Sequence, residues 1–414
     1  MKKHVAKRVK IPINIKTFFS DSLWSILALV LMNVISQFIV YPVWSQIYGS
    51  EAYGNIVYAM AIINIFAISL GSALNYTRMV DSAKRETQNG DYNIILCIIG
   101  PFASLACTML SIWSIPNFSL SECLLIGILC YFTMWRYYAD VEYRLNVNYK
   151  GYFKYYTLVS IGYLIGILLF LISGLWPLTL LPGEIIGLIY VWKKGKIFCN
   201  MPITRTVNFP IVLKNSSILI ITNIISDIIF NGDRLLLQNM LGGNAVTTYY
   251  LASLIGKTMT LITTPLNSVM IGHLAKDKKS FTLKNVAYLV LATLLAIIIG
   301  TLGSHLGSHV IIMVLYPENY NQVKDFFLLA NLSQIVYFIT NILTTFLLRI
   351  ANTNCQLVIN MFYAFCFITI CLITTMKYGI WGFCISLLIV NVLRYLLAIV
   401  YCFISTKRLN DYQK

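Results

Sequence analysis

Twelve long apolar runs constrain this chain more than any other feature. A helix needs about 20 apolar residues to cross roughly 30 Å of hydrocarbon. The 414 residues hold twelve stretches that qualify: 22–47, 55–76, 92–114, 120–139, 153–173, 175–192, 215–240, 248–272, 285–304, 322–348, 356–376 and 380–404. Lipid offers the backbone no hydrogen bonds, so runs of this length must satisfy themselves as helices. The expected class is an all-α polytopic membrane protein. Composition agrees: 58% of residues are hydrophobic and 11% are charged, against about 25% charged in soluble domains. The opening "MKKHVAKRVKIPINIK" is basic, as in a signal peptide. The run that follows is too long for a signal core and no small-residue cleavage site succeeds it, so it reads as a retained first span. The ten cysteines include no C-x-x-C pair. Neither a disulfide framework nor a zinc site is indicated.

The cations give an orientation. With the N-terminus placed in the cytoplasm, the two tails and the even-numbered connections hold 26 of the 31 Lys and Arg residues. Arg136, Arg144, Lys150 and Lys154 are expected between spans 4 and 5, and Lys193, Lys194, Lys196, Arg205 and Lys214 between spans 6 and 7. The odd-numbered, outer connections hold only Lys324 and Lys377. This bias predicts both termini in the cytoplasm. It also accounts for the net charge of +16 as loops facing anionic lipid, not a nucleic-acid surface.

The inner connection 193–214 is the longest without a span and carries Pro202 and Pro210. It divides the chain into expected six-helix bundles at 1–205 and 206–414. A shift of 193 residues lays span 1 on span 7, Gly49 on Gly242 and Ala52 on Ala245. Six spans per half give both halves the same orientation, hence a pseudo-two-fold along the membrane normal. Parallel repeats of this kind are a transporter architecture, with the substrate between the halves. "LIGKTMT" at 254–260 lacks the glycine and the strand of a P-loop. The outer connections are short, the longest expected from His305 to Asn321. They leave no room for an outer catalytic domain.

The spans nonetheless carry charge. In "SDIIFNGDRLLLQNM", residues 226–240, Asp227, Asn231 and Arg234 share a helix face with Asn223, and Asp233 adjoins them. A charge facing lipid costs at least about 2.5–3.5 kcal/mol at the centre of a span. Such a stripe belongs against a hydrated cavity or an internal partner. Span 8 carries a second stripe of Ser253, Lys257, Thr260, Thr264 and Asn267; span 12 adds Asn391 and Arg394, and span 1 adds Asn33 and Gln37. Asn75, Arg78 and Asp81 close span 2, and Glu184 is the acid inside span 6. Internal ion pairs are the competing explanation of all of these. His305 and His309 lie one turn apart without the acid of H-E-x-x-H, so no metal is expected. The tyrosines in "MWRYYADVEYR" and "YKGYFKYY" read as interfacial belts.

Three segments carry a family resemblance: "WSQIYGSEAYGNIVYAMAIINIFAISLGSALNYTRMV" at 44–80, "NGDRLLLQNMLGGNAVTTYYLAS" at 231–253 and "IIMVLYPENY" at 311–320. With their Tyr-Gly turn, Asp-Arg and Gly-rich second turn, they resemble the Wzx-type polysaccharide repeat-unit flippases of the MOP exporter superfamily. The resemblance covers nearly the whole chain. It implies a MATE-like fold and no catalytic residues or cofactors. It implies a bacterial cytoplasmic membrane and a substrate of oligosaccharide on undecaprenyl pyrophosphate, moved from the inner to the outer leaflet for O-antigen, capsule or exopolysaccharide. On that basis Lys257, Arg234, Arg78, Arg394, Asn231 and Asn33 would meet substrate. Asp227 and Asp233 would couple H+ or Na+. Membrane lipids, a polysaccharide polymerase and a chain-length regulator would be partners. A MATE-type ion-coupled drug or metabolite exporter is the alternative. A membrane polysaccharide polymerase or ligase is the alternative of another class.

Overall fold

The structure is a computed structural model that describes residues 15–82, 84–198, 203–258, 282–350 and 353–412. No strand occurs among the described residues. α1 comprises Ile15–Ile35 and the π-turn Ser36–Val40, and ends at Gly49 within Tyr41–Ile63; α2 continues through Asn64–Ile68 and Ser69–Ser82. α3 is Asn89–Ser114, α4 Leu120–Leu145 and α5 Tyr149–Ser173. α6 joins Trp176–Thr179 to Leu181–Lys194. α7 joins Phe209–Phe230 to Gly232–Leu241, and α8 is described over Gly243–Thr258. α9 is Leu283–Leu315, and α10 joins Pro317–Val323, Lys324–Phe326 and Phe327–Ile350. α11 begins with Thr353–Cys366 and Phe367–Cys371; α12 follows the break at Gly379 inside Leu372–Tyr412. Each expected span meets one of these helices. Thr260, Thr264 and Asn267 lie outside the described residues.

Two of the tight joints share one backbone shape. Gly49 has φ 73 and ψ 175, and Gly242 has φ 81 and ψ −176. An L side chain at such a positive φ is strained, so glycine is required at both. These are the two glycines that the 193-residue shift superposes, so the repeat recurs in backbone geometry where the residues around it have diverged.

α1 packs on α5, α4 on α2, α3 and α6, and α10 on α8, α9 and α12. α2 is shared: its first half packs on α8 and its last half, Ser69–Ser82, on Phe209–Phe230 of α7. Leu291, Leu295, Ile298, Ile299, Leu302 and Leu306 of α9 stand exposed. In a chain with this many long apolar helices such a continuous face is lipid contact.

Three expectations need correction. Arg136 is not a loop cation. α4 runs on to Leu145, and Arg136 is buried inside it, its Nε donating to Glu184 of α6 at 2.5 Å. The helix continues past the expected boundary because its charges are paired internally: Asp140 accepts from Tyr152 at 2.9 Å and from Tyr156 at 3.1 Å. Tyr138, Tyr143, Tyr152, Tyr155 and Tyr156 are likewise buried, not an interfacial belt. His305 and His309 lie within α9 and not in a long outer loop. They stack edge-to-face at 4.8 Å, and His309 Nδ1 shares a 2.8 Å hydrogen bond with Tyr320. No group of three metal-ligating side chains occurs among the described residues.

Candidate functional site

α7 breaks at Asn231, whose φ −96 and ψ 5 end one helix and start the next. The restart places Asp233 in a first helical turn, where backbone N–H groups and the helix dipole favour a carboxylate. Its Oδ1 accepts the Arg234 N–H at 2.9 Å. Its Oδ2 pairs with Lys257 Nζ of α8. Lys257 is held in place by its neighbours. The Gly256 N–H donates to Asn331 Oδ1 at 2.7 Å, and Asn331 Nδ2 donates to Ser308 Oγ at 2.9 Å, tying α8 to α10 and α9. The Lys257 ammonium also lies 5.8 Å from the Tyr249 ring centre, and Tyr249 accepts from Gln334 at 2.8 Å.

Arg234 stands beside this pair and is used less fully. Nη1 donates to Asn231 Oδ1 at 3.2 Å, and the guanidinium lies 5.0 Å over the Tyr250 ring. Its buried Nε has no partner among the described residues. Among the described residues the cluster holds two cations and one carboxylate, a net positive charge.

A small cavity runs from Asp233 past Gln334, Tyr337, Tyr363 and Asn391. Arg394 adjoins its far side, 4.6 Å over Tyr337 and 5.1 Å over Tyr363, with Nη2 on Asn341 at 2.9 Å. The buried Asn391 Oδ1 accepts nothing among the described residues. Four of the sequence candidates, Lys257, Arg234, Asn231 and Asp233, therefore form one cluster. Arg394 borders it through aromatic rings.

The other candidates lie apart. Asp227 accepts from the Ser69 hydroxyl of α2, and Asn223 donates to the Ser69 carbonyl at 3.3 Å. The first part of the α7 stripe thus meets a partner helix. Arg78 is bonded to Tyr138 at 2.6 Å and to Asn89, at the end of α2 away from the cluster. Asn33 donates to its own helix at Leu29, 2.8 Å away. Sequence reasoning named Asp233 and Lys257 for separate tasks and did not join them. It missed the Arg136–Glu184 pair.

Above the cluster, at the turn between α7 and α8, the two halves meet tightly. A Cβ on Gly54 would lie 1.9 Å from the Gly243 carbonyl oxygen, and one on Gly243 would lie 2.2 Å from that of Glu51. Gln238 donates to Asn55 at 2.8 Å and Thr247 to the Ser50 carbonyl at 2.5 Å. Beneath this crossing Tyr41, Trp44, Tyr53, Tyr250 and Tyr316 form a chain of rings 4.9–6.3 Å apart. Arg234 lies directly against that aromatic seal.

No family model matches the sequence, and no curated protein matches it. Solved structures do match its fold. An outward-facing multidrug resistance MATE transporter of the MOP superfamily superposes with TM-score 0.62 at 15% identity, covering 96% of each chain. An inward-facing MATE transporter superposes with TM-score 0.71 at 12% identity, covering 94% of this chain and 99% of that one. A MOP superfamily transporter from Pyrococcus furiosus, described as having a binding pocket of reverse polarity, superposes with TM-score 0.62 at 14% identity over 96% of both. The chain has the all-helical, multi-pass membrane fold of the MATE transporters of the MOP superfamily.

Proposed function

We propose that the protein is a flippase for an oligosaccharide carried on a polyprenyl pyrophosphate, working in a bacterial cytoplasmic membrane with both termini inside. The observation that carries the reading is the sign of the buried cluster. Among the described residues Arg234 and Lys257 stand with one carboxylate, Asp233, and Arg394 lies beyond. A pyrophosphate cannot enter hydrocarbon unaccompanied, because burying an unpaired charge costs far more than burying its hydrogen-bonded, paired form. A net cationic site supplies the pair while the polyprenyl chain stays in lipid. Release of the Gly54–Gly243 crossing, with closure of the opposite side, would present the site to the outer leaflet by rocking of the two halves. The Pyrococcus furiosus neighbour, in which reverse polarity of the binding pocket suggests a different function, is a precedent for a change of pocket charge on this fold.

The test is flipping in vesicles. Purified protein should move a fluorescent polyprenyl-pyrophosphate disaccharide between leaflets, and Arg234→Gln should slow it at least about tenfold, in line with losing a charge-assisted contact of about 1.5–3 kcal/mol. Export of cationic drugs without lipid flipping would support the second reading, an ion-coupled MATE-type exporter. The buried Asp233 and the half-buried Asp227 are compatible with that second reading.

A further inference from the structure

On the side that carries the lysine-rich connection after α6, a groove of about 390 Å³ lies between α3, α4 and α6. That size falls within the roughly 300–1,000 Å³ of small-molecule sites. It is lined by Cys97, Tyr131, Phe132, Trp135, Leu188 and Ile189, with Asn93 in its wall. Its neighbours Ile98 and Phe102 on α3 and Ile189 on α6 are exposed on the lipid-facing surface. Whatever enters therefore comes from the bilayer. The groove also has a direction. Tyr138 of α4 stacks on Tyr92 of α3, next to Asn93 near the start of that helix, and Tyr131 lies seven residues, about 10 Å, farther along α4. It follows the membrane normal from the interface towards mid-bilayer, as a lipid chain does.

Two polar features mark the mouth. Asn93 is 2% exposed; its Nδ2 donates to the Ile197 carbonyl at 3.1 Å, and its Oδ1 accepts nothing among the described residues. Lys193, Lys194 and Lys196 stand exposed at the end of α6. The nearby carboxylates are engaged: Glu142 accepts the Lys196 and Ile197 N–H groups at 3.0 Å each, and Asp91 accepts from Thr206 at 2.8 Å. The mouth thus presents positive charge above an apolar slot.

We propose that this groove holds one chain of an anionic phospholipid, with the phosphate on Lys193, Lys194 and Lys196. Nearby lysines attract an anionic headgroup by about 1 kcal/mol each, so the three together set a preference of at least about tenfold over a zwitterionic lipid. The lipid braces α3 against α6 from the membrane side, remote from the cationic cluster of α7 and α8.

The experiment is native mass spectrometry of the full chain supplied with equal phosphatidylglycerol and phosphatidylcholine. The protein should retain one phosphatidylglycerol. Lys193→Gln, Lys194→Gln and Lys196→Gln together, all at exposed positions, should lower the preference at least about tenfold. Cys97→Trp, which fills the groove, should remove the retained lipid. Phosphatidylglycerol brominated on its chains should quench tryptophan fluorescence, and Trp135→Phe with Trp192→Phe, at the two tryptophans in the groove wall, should abolish the saturable part. Unchanged retention in the triple variant would mean ordinary annular lipid and overturn the proposal. So would quenching indifferent to the combined Trp135→Phe and Trp192→Phe change. Displacement of the phospholipid by equimolar polyprenyl phosphate would assign the groove to a carrier chain instead, and also overturn it.

Discussion

Gly54→Ala is the most direct probe of the proposed rocking of the two halves. The added Cβ would meet the Gly243 carbonyl oxygen at 1.9 Å, its carbon at 2.5 Å and its Cα at 2.8 Å. All three are backbone atoms, so no side chain can swing away. Ordinary contact begins near 3.4 Å, so α2 and α8 must part by about 1.5 Å (3.4 − 1.9). Overpacking of this kind costs typically about 1–3 kcal/mol. The cost falls only on the state in which the crossing is closed. A bias of that size moves a two-state equilibrium by roughly five- to 150-fold. The open state on this side should gain accordingly. Spin labels at Asn117 and Glu318, exposed on opposite halves, would report it as a longer distance in electron double resonance, in a cysteine-free background that retains activity. Gly256→Ala is the control. Its Cβ would crowd Asn331 and Gln334 at 2.9–3.1 Å within one half, so it should lower stability and leave the distance distribution alone. If Gly54→Ala folds and leaves the distribution unchanged, the crossing is not the closure.

The Arg136–Glu184 pair is 3% and 2% exposed, so Glu184→Gln should strand a buried guanidinium and cost about 3–5 kcal/mol; Arg136→Met with Glu184→Leu should recover most of the thermal stability. Lys257→Met should destabilise similarly by orphaning Asp233, and adding Asp233→Leu should restore stability without restoring transport, which thermal melts and the vesicle assay together would show. Reporter fusions after Arg85, Tyr149 and Met201 should report cytoplasm, and those after Ser50, Pro116 and Gly243 the outside, as the cation bias requires.

Helix number and the repeat were legible because they depend on one variable, hydropathy along the chain. The Gly49–Gly242 correspondence needed only two turn residues and a shift of 193. Partner choice is a different kind of information. Lys257 and Asp233 are 24 residues apart and Arg136 and Glu184 are 48 apart, each pair on two helices. Periodicity names the face a charge occupies but not the helix that face meets. The tyrosines of α4 and α5 failed for the same reason. An aromatic near a span end suits an interface and a buried carboxylate equally well, and only Asp140, within reach of Tyr152 and Tyr156, decides it. The signal was present in the spacing: Arg136 and Asp140 share one face of α4, and Tyr152, Tyr155 and Tyr156 share one face of α5.

If the protein carries the proposed pyrophosphate cargo, the pairing of Lys257 with Asp233 changes which cation is available to it. A buried ammonium bonded to a carboxylate must give up that partner before it can bind a phosphate, and separating a buried pair costs about 3–5 kcal/mol. Arg234 faces no such exchange. Among the described residues its side chain donates to the amide oxygen of Asn231, its buried Nε is unpartnered, and its guanidinium lies 5.0 Å over the Tyr250 ring. A planar guanidinium with two adjacent donors also matches the oxygens of a phosphate better than a point charge does. Lys257 then acts by neutralising Asp233, so that Arg234 keeps its full positive potential against the aromatic seal. On the proposed function the two cations divide the work: one holds the acid, the other meets the anion. Lys257→Arg should accordingly be tolerated, and Arg234→Lys should not.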